Sequence, residues 1–69
     1  MKKLFNQIFK ELRCKNHLTQ AQAAIILNVS KNVIYRWEAN KSKPKLRNII
    51  AIARYFNVTA NYLLGLDNE

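Results

Sequence analysis

Apolar residues recur along this chain at helical rather than strand spacing. Leu4, Phe5, Ile8, Phe9 and Leu12 fall at i, i+1, i+4, i+5 and i+8, which predicts an amphipathic helix over residues 3–15. Leu18 follows the polar turn Lys15-Asn16-His17 as a further anchor. Thr19 can cap a second helix, and Gln22 three residues on completes a capping box. Ala23, Ala24 and Leu27 share one face there, and the small Ala24 lets another helix cross closely. Asn28 stands where the chain must turn and tolerates the left-handed conformation. Val29 is an apolar plug, and Ser30 can cap a third helix that ends near Ala39. Asn40 suits the left-handed closing position. Pro44 fixes the start of a fourth helix, where a missing N–H costs nothing. Leu46, Ile49, Ile50, Ala53 and Phe56 form its stripe. Asn57-Val58 turns the chain and Thr59 caps again. Tyr62-Leu63-Leu64 makes a short fifth helix ended by Gly65, the only glycine. With no strand alternation and no repeat, the expectation is an all-α fold: five helices around one core, a single domain over residues 1–69.

The third helix has two unlike sides. At about 100° per residue, Val33, Ile34 and Trp37 gather on one, and Lys31, Asn32, Tyr35 and Arg36 on the other. The second set holds two cations, an amide and a phenol, each long enough to reach a base edge. A major groove admits one α-helix and presents guanine and adenine edges to such side chains. Two short helices joined by a tight turn, the second carrying this face, make a helix-turn-helix.

The residues Leu18-Thr19-Gln20, Ala24, Leu27-Asn28-Val29-Ser30, Ile34, Arg36-Trp37-Glu38 and Lys43-Pro44 carry a resemblance. Leu46, the Ile-Ala pattern at 50–53, Phe56-Asn57-Val58 and Tyr62-Leu63-Leu64-Gly65 extend it, from about Leu4 to Leu66. The chain resembles the DNA-binding domain of the phage Cro/CI repressor (XRE-type) family, which implies a lambda-repressor-like fold. The resemblance implies base reading from the start of the third helix and one turn on: Lys31, Asn32 and Arg36, with Tyr35 flanking and Ser30 near a backbone or a thymine methyl. It also implies that Gln20 grips a phosphate and that Arg13 pairs with Glu38; the alternative for Arg13 is a solvated surface residue. The glycine commoner at the family's turns is replaced by Asn28 and Asn40, a mild departure.

Charge narrows the partner. Twelve Lys and Arg oppose four Asp and Glu, a net +8, and two of those acids, Asp67 and Glu69, lie in the last three residues. Such a balance suits a polyanion, and the third helix makes that polyanion duplex DNA. Phosphate contacts fall to Thr19, Gln20 and the N–H groups opening the second helix, and to Lys41, Lys43 and Lys45 in the loop after the third. A basic loop can also be merely solubilising. Cys14 and His17 offer half a metal site at most and read as structural residues. No cofactor, metal or small-molecule ligand is expected, and no Gly-rich phosphate loop, paired mid-chain carboxylates or triad suggests an enzyme. The opening Met-Lys-Lys lacks a signal peptide's apolar run, and no stretch approaches the ~20 residues that span a bilayer, so no membrane partner and a cytoplasmic location are the expectation.

Together these readings point to a bacterial or prophage-type transcriptional regulator, a repressor that occupies its promoter. One reader helix covers few base pairs, so a homodimer, formed in solution or only on DNA, is expected on an inverted repeat. Val58, Tyr62, Leu63 and Leu66 are the candidate dimer contact. Trp37 could stack bases but lies on the Val33/Ile34 side, which favours the core. Ile25 points away from the Ala24/Leu27 face and suits either a lone exposed residue or a protein contact. The competing function is an antitoxin or accessory factor that uses the same fold mainly to hold a protein.

Overall fold

A helix shorter than about 12–15 residues is marginal in water on its own. The computed structural model of this protein, which describes residues 3–67, contains only such helices: α1 (Phe5–Lys15), α2 (Gln20–Leu27), α3 (Lys31–Glu38), α4 (Leu46–Phe56) and α5 (Ala60–Leu63). End chemistry and packing therefore hold them. Thr19 Oγ1 accepts from the Gln22 N–H at 3.0 Å, and Gln22 Oε1 accepts from the Thr19 N–H at 2.8 Å. Ser30 and Thr59 cap α3 and α5 in the same way, through the N–H groups of Val33 and Tyr62. The start of α1 differs. Leu4 has no polar side chain, but its N–H donates to Gln7 Oε1 at 2.8 Å. The helix thus begins at Phe5 rather than at residue 3, and Leu4, 57% exposed, stays outside the core.

Among the described residues, four turns close with a left-handed, non-glycine residue: His17, Asn28, Asn40 and Asn57, all with φ between 56° and 60°. The three asparagines sit where their short amide is tolerated. The left-handed conformation of His17 was not foreseen from the sequence, which places it in a polar turn.

The core takes Ile8 and Phe9 from α1, Ala23, Ala24 and Leu27 from α2, Ile34 and Trp37 from α3, Ile49 and Ile52 from α4, and Leu63 from α5. Phe9 is its aromatic centre. Its ring meets Trp37 edge-on at 5.7 Å and Phe56 edge-on at 6.4 Å, and stacks with Phe5 at 5.7 Å. These separations lie in the range where aromatic pairs attract beyond their buried area.

Several expectations need correcting. The inward face of α4 follows Ile49, Ile52 and Phe56; Leu46 and Ile50, one turn apart, lie beside it and are 74% and 43% exposed. Pro44 precedes the N-cap Lys45, so it shapes the loop before α4 rather than the first helical position. Leu64 follows α5 as its C-cap and is half-exposed. Leu63 is fully buried, so it closes the core and is not available for a dimer contact.

His17→Gly should stabilise the fold, because glycine removes the left-handed penalty at a solvent-exposed position. The expected gain is roughly 0.5 kcal/mol, a rise of about 2–4 °C in Tm for a domain of this size. Thermal unfolding followed by circular dichroism checks it; a lower Tm would contradict the account of this turn.

Candidate nucleic-acid interface

The interface is built on α3. Its eight residues bury Ile34 completely and Trp37 to 3% exposure, with Val33 half-buried beside them. Lys31, Asn32, Tyr35 and Arg36 consequently face solvent. Ser30 is exposed too, with its oxygen occupied by the Val33 N–H.

The loop after α3 folds back on it. Lys41 N–H donates to the Arg36 carbonyl at 2.8 Å, and Arg36 Nη2 makes a long contact, 3.4 Å, with the Lys41 carbonyl. The Lys41 ammonium lies 5.8 Å from the centre of the Tyr35 ring, within cation–π range. Lys41 and Tyr35 are therefore coupled, and Lys41, Lys43 and Lys45 are all exposed. Thr19 is exposed at the start of α2, with its side chain engaged in capping.

A polar junction ties α3 to the two preceding helices. Arg13 on α1 meets the carboxylate of Glu38, the last residue of α3, through two parallel bonds: Nε to Oε2 at 2.6 Å and Nη2 to Oε1 at 2.9 Å. Its Nη1 donates to the Leu18 carbonyl at 2.8 Å. The Arg13 and Glu38 side chains are only 11% and 5% exposed. Hydrogen bonding to Glu38 raises the Arg13 pKa above its ordinary value, against the opposing effect of burial. Stability linked to that shift is fully present below the ordinary arginine value and is lost only as pH rises through the raised one. It is therefore constant across neutral pH.

Two members of this junction escaped sequence reasoning. Gln20 Nε2 donates to Glu38 Oε1 at 3.1 Å, so the residue expected to face a phosphate is also held from behind. Asn6 Nδ2 reaches the Glu38 carbonyl at 3.5 Å, while Asn6 Oδ1 is buried without a donor. The available signal was that Asn6 and Arg13, seven residues apart, share a face of α1.

The candidate dimer residues separate. Val58 and Tyr62 are half-buried against the core and Leu66 is 60% exposed, while Leu63 is inside. Ile25 is 80% exposed on the outer side of α2. Cys14 is an exposed free thiol. Among the described residues, no helix is long and apolar enough to cross a membrane.

Two crossed short helices, a left-handed turn between them and an outward polar face on the second define a helix-turn-helix protein. The chain belongs to that family, which it matches over residues 9–63. It is 38% identical over 61 residues to the HTH-type transcriptional activator BcrR of Enterococcus faecalis, covering 88% of this chain and 30% of that protein. To the uncharacterized HTH-type transcriptional regulator YobD of Bacillus subtilis it is 30% identical over 66 residues, covering 96% of this chain and 59% of that one. The chain thus spans less than two thirds of either relative's length. Among solved structures, the P22 c2 repressor in complex with synthetic operator 9T is similar with a TM-score of 0.87 at 26% identity, over 94% of this chain and 98% of that one. A transcriptional regulator from Listeria innocua gives 0.88 at 25% identity, over 100% and 64%. The Cro/CI-type resemblance carried by the residues agrees with these neighbours.

Arg13→Met keeps the stem of the side chain and strands the Glu38 carboxylate. Breaking a shielded pair in this way should cost about 3 kcal/mol, read as a lower midpoint at unchanged slope in urea unfolding. A cost below about 1 kcal/mol would class the pair with ordinary surface salt bridges.

Proposed function

We propose that this chain is a sequence-specific duplex-DNA-binding transcriptional regulator that inserts α3 into the major groove. One observation carries the reading: α3 turns Lys31, Asn32, Tyr35 and Arg36 outward in a chain of net charge +8. Arg and Lys match guanine edges and Asn matches adenine, so these side chains are equipped to read sequence. Ser30 stands at the groove end of the same helix. Gln20, Thr19 and Lys41, Lys43 and Lys45 flank α3 and serve the phosphates, which supply affinity without sequence information. The neighbour crystallised with an operator supports the docking of this fold on DNA.

In this reading the chain works as a binding protein in the cytoplasm and represses by occupying a promoter. BcrR, by contrast, is named an activator. Two copies read an inverted repeat with half-sites about 34 Å apart. They meet through the C-terminal region, with Leu66 at the centre of the contact and Val58 and Tyr62 at its base. The exposure of Ile25, at 80%, is the one feature that favours a second reading, a protein-holding role for the outer face of α2. Selection of bound sequences from a random duplex library tests the whole proposal. Enrichment of a two-fold symmetric motif is the expected outcome, and no enrichment defeats it.

Once that motif is known, Lys31→Ala or Arg36→Ala should cost about 1–3 kcal/mol on it and relax preference at one position. Lys43→Ala should instead weaken binding to every sequence alike and lower the salt slope by about one. Equal losses on random DNA for Lys31 or Arg36 would move them to the phosphate group. Leu66→Glu should leave the fold intact and abolish the two-to-one complex in sedimentation with operator DNA; an unchanged complex places the dimer contact elsewhere.

A further inference from the structure

Glu38 does more at this junction than an ion pair requires. Arg13 alone engages both of its oxygens through Nε and Nη2, yet Oε1 takes a further hydrogen from Gln20 Nε2 at 3.1 Å. Gln20 is the first residue of α2 and is not needed as a cap, because Thr19 and Gln22 already close that end. A glutamine at such a place ordinarily samples several rotamers in water, and holding it still costs side-chain entropy. Here the bond to a nearly buried carboxylate holds it. The second Nε2 hydrogen and the Oε1 atom of Gln20 have no partner among the described residues.

We propose that Glu38 is a positioning residue for DNA binding. Through Gln20 it fixes the phosphate-facing amide of α2 relative to the C-terminal end of the reader helix. The inference rests on the reading of α3 and α2 given above and deepens it, making phosphate grip and base reading parts of one rigid unit. A donor fixed in advance loses less freedom when it meets a phosphate. The carboxylate takes one amide hydrogen and leaves the other available to a phosphate. Arg13 and Asn6 fix Glu38 in turn, from α1.

The test is a double-mutant cycle on operator affinity with Gln20→Ala and Glu38→Gln, each variant first shown to be folded by circular dichroism. Glu38→Gln replaces one acceptor oxygen by an NH2 group, which sets donor against donor in the junction. Gln20→Ala alone should lower affinity about tenfold, as expected for a hydrogen bond to a charged group. Glu38→Gln should lower it by a similar factor in the wild-type background and by less than about twofold when Gln20 is already alanine, since the two act through one contact. Equal losses in both backgrounds overturn the proposal while leaving the DNA-binding reading standing; failure of the wild type to bind any duplex removes that reading itself.

A second measurement needs no substitution. Gln7 and Gln22 use only their carbonyl oxygens in capping, so their NH2 groups are internal references. In a side-chain amide hydrogen-exchange experiment, the Gln20 NH2 should exchange more slowly than theirs, and its resonance should move when duplex is added. Exchange as fast as in Gln7 and Gln22 would overturn the proposal even if Glu38→Gln failed to fold.

Discussion

Burial of Ile34 and Trp37 on one side of an eight-residue helix is the constraint from which the rest of this molecule follows. Fully burying side chains of this size contributes about 1.5–3 kcal/mol each. Turning α3 by half a revolution would expose both, at a cost of roughly 3–6 kcal/mol. A domain this short has a net stability of about 3–10 kcal/mol, at about 0.05–0.15 per residue. No rotated α3 can therefore be appreciably populated. The direction of Lys31, Asn32, Tyr35 and Arg36 is set by the two residues that point the other way.

Hydrophobic burial fixes rotation well and axial position poorly, because it is non-directional. The Arg13–Glu38 pair supplies what is missing. Its two parallel bonds tolerate little sliding, and their planar geometry defines where the end of α3 sits against α1. As a source of net stability such a shielded pair is close to neutral against apolar replacements, so its value lies in register.

What could be read from the chain divides along the range of the interactions. Thr19, Gln22, Ser30 and Thr59 act on N–H groups three residues away, so their roles follow from local spacing alone. Asn28 and Asn40 were legible for the same reason, their conformation being a property of the residue type. The face of α4 was legible only in part: Ile49, Ala53 and Phe56 lie inward as expected, and Leu46 and Ile50 do not. Leu46 and Ile50 are as apolar as Ile49 and Ile52, and only the position of the neighbouring helices decides which pair goes inside. In α5 the ambiguity is sharper, because four residues are too few for any periodicity to separate Leu63 from Leu64. The bond from Gln20 to Glu38 spans eighteen residues of sequence and joins two side chains that water satisfies equally well, so no pattern announces it.

The scale of recognition is what motivates a second copy in the proposed function. Each well-made contact to a base edge discriminates by about 1–3 kcal/mol, and α3 offers three or four side chains that can make one. A single protomer thus commands roughly 3–12 kcal/mol before any loss to imperfect geometry. Singling out one site among about a million competitors takes about 8 kcal/mol at 1.4 per decade. One copy passes that threshold only if nearly every contact is ideal, and lysines such as Lys43 and Lys45 cannot help, since phosphate contacts strengthen right and wrong sites alike. Two copies on a symmetric site double the discriminating energy without enlarging the core. Under the proposed function, an exposed apolar residue such as Leu66 would serve recognition as much as Arg36.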